Sequence, residues 1–156
     1  MDLQYLLDLE EIKQLRYSFS WALETSAPDD LADLFTEDGV VDTGPWGKMI
    51  GQEKIRKGYG RAYKDARPFT ALHAVTNPRI EITGDTATGT WYLLDCVLSD
   101  DPSPLKIVAL YRDKYRKVHG VWKFAELKLD YRWSAELGRI SEENPMKILQ
   151  AGEDAK

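Results

Sequence analysis

The strongest constraint on what this chain can fold into lies in its second half. Residues 67–82 and 87–98 alternate like strands on either side of Thr83-Gly84-Asp85, and residues 105–118 and 121–133 do the same around His119-Gly120. Both tripwires are tight-turn signals, and the flanking runs are rich in Val, Thr, Tyr and Trp. Two long antiparallel hairpins follow. A sheet of this kind buries one face and needs a cover, which only the first half of the chain can supply.

That first half is helical in period. Across residues 3–24, Leu9, Ile12, Leu15, Phe19, Ala22 and Leu23 fall on one side at helical spacing. TSAPDD stops this helix, and Pro28 with two aspartates starts a short second one over residues 29–35. TEDGVVDTG reads as a turn and a short strand through Val40 and Val41. Residues 51–66 form a third helix with interruptions expected near Gly58 and Gly60. Helices followed by hairpins give an α+β fold: a strongly curved, mostly antiparallel sheet wrapped around the N-terminal helix as a cone, with two further helices. The open mouth of such a cone is a natural ligand site. Residues 1–133 are read as one domain, and residues 134–156 as a polar, partly helical tail that is a candidate lid.

Charge excludes several partners. Net charge is −5, with 26 acids against 21 bases and no basic stripe, which argues against nucleic acid. No apolar run is long enough to cross a bilayer, and the acidic, amphipathic N-terminus is unlike a secretory signal, so a cytoplasmic protein is expected. A single cysteine, Cys96, excludes an internal disulfide. Only two histidines, His73 and His119, exclude a histidine-rich metal site. There is no glycine-rich phosphate loop and no serine elbow. Five Trp and eight Tyr are many for 156 residues. They fill a core, line a cavity for a bulky apolar ligand, or do both.

His73 sits in FTALHAVTNPRIEI, where alternation sets it on one face with Phe69, Ala71 and Val75. It is either a buried structural histidine or a general base whose basicity a carboxylate sets. Glu24 and Asp95 are the candidate carboxylates. Glu24 closes the first helix on a polar stripe with Lys13, Tyr17 and Ser20. Asp95 interrupts TWYLLDCVL, where an unpaired charge is costly unless it lies on an exposed edge. Asp42 and Arg132 are weaker candidates, each equally readable as a surface charge. His119, in its turn, is read as solvated.

EEIKQLRYSFSWALE, DDLADLFTEDGVVD, HAVTNPRIEITGDTATGTWYLLD and DKYRKVHGVWKFAELKLDYRW occur in an order that resembles the SnoaL-like group of the nuclear-transport-factor-two-like (cystatin-like) superfamily. Within it the chain is most similar to bile-acid dehydratases, hexachlorocyclohexane dehydrochlorinase and scytalone dehydratase. The resemblance implies a cone-shaped barrel with a deep apolar cavity and no cofactor, assembled as a homo-trimer or homo-dimer. It implies that His73 is the base, that Glu24 orients it where the family carries aspartate, and that Asp95 is a further acid in the pocket. The position of the family's leaving-group assistant is Phe19 here, and the arginine used by the dehydrochlorinase falls near Tyr131 and Arg132. The activity implied is elimination of water or a similar group from a small apolar alicyclic or polycyclic substrate. Asp95 or a tyrosine such as Tyr17 or Tyr59 would donate to the departing oxygen, and Trp21, Trp46, Trp91 and Trp133 are candidate walls. A double-bond isomerase or cyclase, or a non-catalytic binder, uses the same groups.

Overall fold

A computed structural model describes residues 2–98, 104–135 and 138–139. Helix α1 spans Leu3–Glu24, α2 Pro28–Asp33 and α3 Gln52–Ala62. Strands run β1 Phe35–Asp42, β2 Lys48–Ile50, β3 Ala71–Thr83, β4 Thr86–Val97, β5 Leu105–Val118, β6 Val121–Ser134 and β7 Gly138–Arg139. The sheet order is β2-β1-β6-β5-β4-β3, with β7 on β6. All neighbours are antiparallel except β1 and β6. The α+β class and the curved, mostly antiparallel sheet around α1 are as the sequence predicts.

Local chemistry explains the boundaries. The Asp2 side chain accepts from the Tyr5 N–H at 2.8 Å and caps the start of α1. Pro28 occupies the first turn of α2, where its missing N–H costs nothing, and Asp29 and Asp30 complement the helix dipole there. The β5–β6 turn places His119 at φ +50° and Gly120 at φ +81°, the twisted hairpin geometry that matches strand twist.

Three expectations shift. Phe35, read as the end of α2, begins β1 with its ring fully buried, because tertiary burial outweighs local propensity. α3 runs unbroken through Gly58 and Gly60, and Gly58 is the room that Met49 occupies: a Cβ there would lie 2.1 Å from the Met49 sulfur. β3 starts at Ala71 rather than at residue 67. From residue 140 onward the tail, with the expected lid, lies outside the described residues.

Long strands curve through irregularities. Register shifts interrupt β3–β4 between Thr76 and Arg79, β4–β5 between Asp95 and Cys96, and β5–β6 at two places. The first lies at Asn77 (φ +52°) and Pro78, tolerated because β3 is an edge strand.

The core fills the space between α1 and the inner sheet face. Ile12, Phe19 and Leu23 meet Phe35, Trp91, Leu93, Tyr111, Phe124 and Leu127, all nearly inaccessible. Within it lies a charged pair. Arg16 donates to Asp113 at 2.9–3.0 Å, both side chains fully buried. Tyr115 donates to Asp113 at 2.6 Å, and Trp91 Nε1 donates to the Tyr115 hydroxyl at 3.0 Å. The guanidinium carbon lies 3.9 Å from the Tyr111 ring centre and 4.6 Å from that of Phe124, which offsets part of its desolvation.

Candidate active site

Strand alternation turns His73, Leu93, Asp95, Ala109 and Tyr131 to the inner face of the sheet. In the ladder His73 stands directly opposite Asp95. Counting back from the turn, where Thr83 faces Thr86, would set His73 opposite Cys96. The extra residue at Asn77–Pro78 moves its partner to Asp95. The bulge therefore creates the pair.

The His73 side chain is 8% exposed and that of Asp95 18%. His73 Nε2 lies 3.7 Å from Asp95 Oδ1, too far for a hydrogen bond. His73 Nδ1 and Asp95 Oδ1 are buried without partners. Nε2 and Oδ1, at 3.7 Å, can both touch one inserted oxygen at about 2.8 Å. Burial pushes the His73 pKa down, against the opposing pull of Asp95 and Glu24. Burial pushes the Asp95 carboxyl up, partly offset by His73. The two groups are thus shifted towards each other, the base downward and the acid upward.

Glu24 is present but not where the ring-orienting reading puts it. Its Oε1 accepts from the His73 backbone N–H at 2.9 Å. The nearby Phe69 N–H donates to the Glu24 carbonyl at 2.7 Å. Glu24 thus fastens the end of α1 to β3 through the main chain, and the ring of His73 faces Asp95.

Tyrosines surround the acid. Tyr63, capping α3, and Tyr131, on β6, are each pushed up to about 12 by burial and by the charge of Asp95. Tyr111 is shifted upward too, mainly by burial. All three are neutral donors at ordinary pH. Trp46 packs on Tyr131 with ring centres 4.9 Å apart, and Tyr59 stacks on Tyr63 at 6.1 Å. Tyr63 is absent from the sequence reading. Its spacing of four from Tyr59 on one helix is the signal that points to it.

The other predicted site residues separate. Trp46, Tyr59 and Tyr131 group with Tyr63 as above. Phe19 is core, edge-on to Phe35, Tyr59, Tyr111 and Phe124. Trp91 is fully buried and bonded to Tyr115, so it is core rather than a wall. Tyr17 and Trp21 are 43% and 61% exposed, and they line a separate surface hollow with Ala22, Thr25 and Asp30. Trp133 pairs with Val108 on the outer face of the sheet. A register shift between Val108 and Ala109 separates it from inward-facing Tyr131. Arg132 donates to Asp130, which also holds Arg112. Asp42 accepts from the Gly44 N–H.

The profile of the SnoaL-like domain matches residues 4–128 of this chain. Among solved structures, a function-unknown protein from Mycobacterium tuberculosis superposes with TM-score 0.77 at 18% identity, over 96% of this chain and 87% of that one. A candidate scytalone dehydratase from Novosphingobium aromaticivorans gives 0.77 at 21% identity, over 90% and 96%. A protein of unknown function with a cystatin-like fold from Nostoc punctiforme gives 0.71 at 25% identity, over 90% and 96%.

Proposed function

The chain belongs to the SnoaL-like domain family, and we propose that within it this protein is a cofactor-free lyase removing water, or a similar group, from a small apolar alicyclic or polycyclic substrate. The observation that carries the reading is the His73–Asp95 pair: His73 buried and Asp95 half-buried, with His73 Nδ1 and Asp95 Oδ1 lacking hydrogen-bond partners, and the two groups shifted in opposite directions. Two titratable groups whose surroundings push their pKa values apart are the usual arrangement for a base and an acid in one site.

In the proposed step, His73 takes a proton from the carbon next to the leaving group. The C–H electrons form the double bond, the C–O bond breaks, and Asp95 delivers its proton to the departing oxygen. Imidazolium and carboxylate remain, a mutually stabilising pair at close range. Return of the proton from His73 to Asp95 restores the site. Each proton transfer of this kind contributes about two to four orders of magnitude in rate. Trp46, Tyr59, Tyr63 and Tyr131 supply the apolar wall and neutral hydroxyls. Glu24 acts at a distance, setting the position of His73 through its main chain.

A second reading follows from those hydroxyls. Tyr63 and Tyr131 beside Asp95 can hold an enolate oxygen, which would suit a double-bond isomerase that returns the proton at another carbon. A panel of cyclic β-hydroxy ketones and unsaturated ketones in deuterated water separates the two. Loss of water seen by mass spectrometry, abolished in His73→Gln, supports elimination. Deuterium incorporation with double-bond migration and no loss of water supports isomerisation. Binding with neither outcome shows a carrier.

A further inference from the structure

A second hollow lies apart from the His73–Asp95 pair, between α1 and α2. Its volume is about 450 Å³, within the range of about 300–1,000 Å³ usual for small-molecule sites. Tyr17 and Trp21 line it from α1, four residues apart and so side by side on one helix face. Each is braced by another ring. Tyr17 stands at 75° to Trp91 with ring centres 6.0 Å apart, and Trp21 at 64° to Phe69 with centres 5.6 Å apart. Both nevertheless stay open to solvent, at 43% and 61% exposure. Ala22 and Leu34 complete the apolar lining, and Thr25 and Asp30 supply polar groups.

The charge of this hollow is one-sided. Among the described residues lining it, Asp30 is the only charged one. Its neighbours Asp29 and Asp33 are held by Arg56 at 2.9 and 3.0 Å. The Asp30 carboxylate holds no hydrogen bond or ion pair among the described residues. Thr25 spends its hydroxyl hydrogen on the Trp21 carbonyl at 2.8 Å, so it has only lone pairs left to offer. Aromatic rings and acceptors, with no Lys, Arg or His among them, suit a cation. We propose that this hollow binds a small organic cation, a fully alkylated ammonium on an apolar body. The rings of Tyr17 and Trp21 attract the charge, Asp30 balances it, and Ala22 and Leu34 take the apolar part. Full alkylation follows from the donor count. A primary ammonium brings three N–H donors whose water must be replaced, and one exposed carboxylate replaces little of it. An alkylated ammonium has no such donors and sheds its water at less cost. A phosphate or carboxylate ligand would meet Asp30 with no cation to offset it. The net charge of −5 favours the approach of a cation. The inference does not depend on which reaction the His73–Asp95 pair performs.

The test is titration of the full-length chain with choline and, separately, with neohexyl alcohol, its uncharged carbon isostere. Calorimetry and the indole N–H signal of Trp21 in NMR are the readouts. The expected result is saturable binding of choline in the millimolar range or tighter, with a shift of the Trp21 signal. The isostere should bind about ten-fold more weakly. Trp21→Leu and, separately, Tyr17→Leu should each weaken choline by about ten-fold with unchanged circular dichroism, read by calorimetry. The second variant decides if the first fails to fold. Asp30→Asn should weaken choline by about two- to five-fold, an effect that shrinks as salt rises. His73→Gln should bind choline as the native chain does. No binding at tens of millimolar overturns the proposal, as does equal binding of the isostere or an affinity that survives both ring substitutions. Choline binding lost in His73→Gln would place the cation beside Asp95 and overturn it too. A trimethyl-lysine peptide that binds far more tightly than choline would assign the rings to a protein partner, with the same consequence.

Discussion

Glu24 holds His73 by its main chain: the carboxylate accepts the His73 backbone N–H at 2.9 Å, while the imidazole looks towards Asp95. The requirement on residue 24 is therefore an acceptor of the right reach. Glu24→Gln keeps one, so the fold and most of the turnover should survive. The lost negative charge should lower the His73 pKa further, since Glu24 now pulls it upward. Glu24→Ala leaves a buried N–H without a partner and should cost about 1–3 kcal/mol. Chemical denaturation and imidazole NMR titration read both effects. A loss of two orders of magnitude in turnover for Glu24→Gln would mean that Glu24 acts on the ring after all.

Asp95→Asn should lower turnover by about two orders of magnitude or more, because the amide has no proton to deliver to a leaving group. It should leave ligand affinity within a few-fold. Wherever Asp95 is ionised in the native protein, the variant should also lower the His73 pKa, as Asp95 is the larger of the two charges that raise it. Steady-state kinetics on the substrate found by the panel separates kcat from KM. An unimpaired variant removes Asp95 from the chemistry.

Activity should follow a bell in pH. His73 has a folded pKa below its ordinary 6.5, so the base is lost only when pH falls beneath that lowered value. Asp95 has a folded pKa above its ordinary 3.8, and the acid is lost as pH rises through the raised value. Stability follows the same signs. Below pH 6.5 the unfolded chain binds a proton that folded His73 resists, so stability drops as pH falls towards the folded value. Thermal unfolding of His73→Gln should lack that drop. An acid slope identical to the native protein would assign the drop to other groups.

Removing Arg16 alone should be severe. Arg16→Met leaves Asp113 buried and unpaired, at about 3–5 kcal/mol. The double variant Arg16→Met with Asp113→Leu should recover most of this, since the desolvation of both charges disappears together. Urea titrations of the single and double variants make the comparison. Equal losses in both would place the effect in packing rather than in the stranded carboxylate.

Much of the fold is legible because alternation and turns speak locally. Thr83 to Asp85 and His119-Gly120 mark both hairpins, and the polar interruption by Asp95 in an apolar strand marks a buried acid. What is not legible depends on one residue of register. The turn alone pairs His73 with Cys96, and only the irregularity at Asn77–Pro78 brings Asp95 opposite. Residues after that slip cannot be assigned partners by counting. The walls were unreadable for a different reason: Trp91, Trp133 and Trp21 share a residue type, yet one is core, one faces outward and one lies on the far side of α1. Composition cannot tell these apart, because sidedness is fixed by curvature and by the register shift near Val108.

Helix α1 shows apolar groups on nearly every side, with Leu3, Leu6, Leu7, Tyr17 and Trp21 exposed while Ile12, Leu15, Phe19 and Leu23 are buried. Apolar burial alone would let such a rod roll about its axis at small cost. Arg16 removes that freedom, since only one rotation brings its guanidinium to Asp113 and the Tyr111 face together. The same rotation delivers Glu24, two turns further on, to the His73 backbone. The buried ion pair is thus the key slot of a shaft: it sets the angle at which everything mounted on the helix meets the sheet.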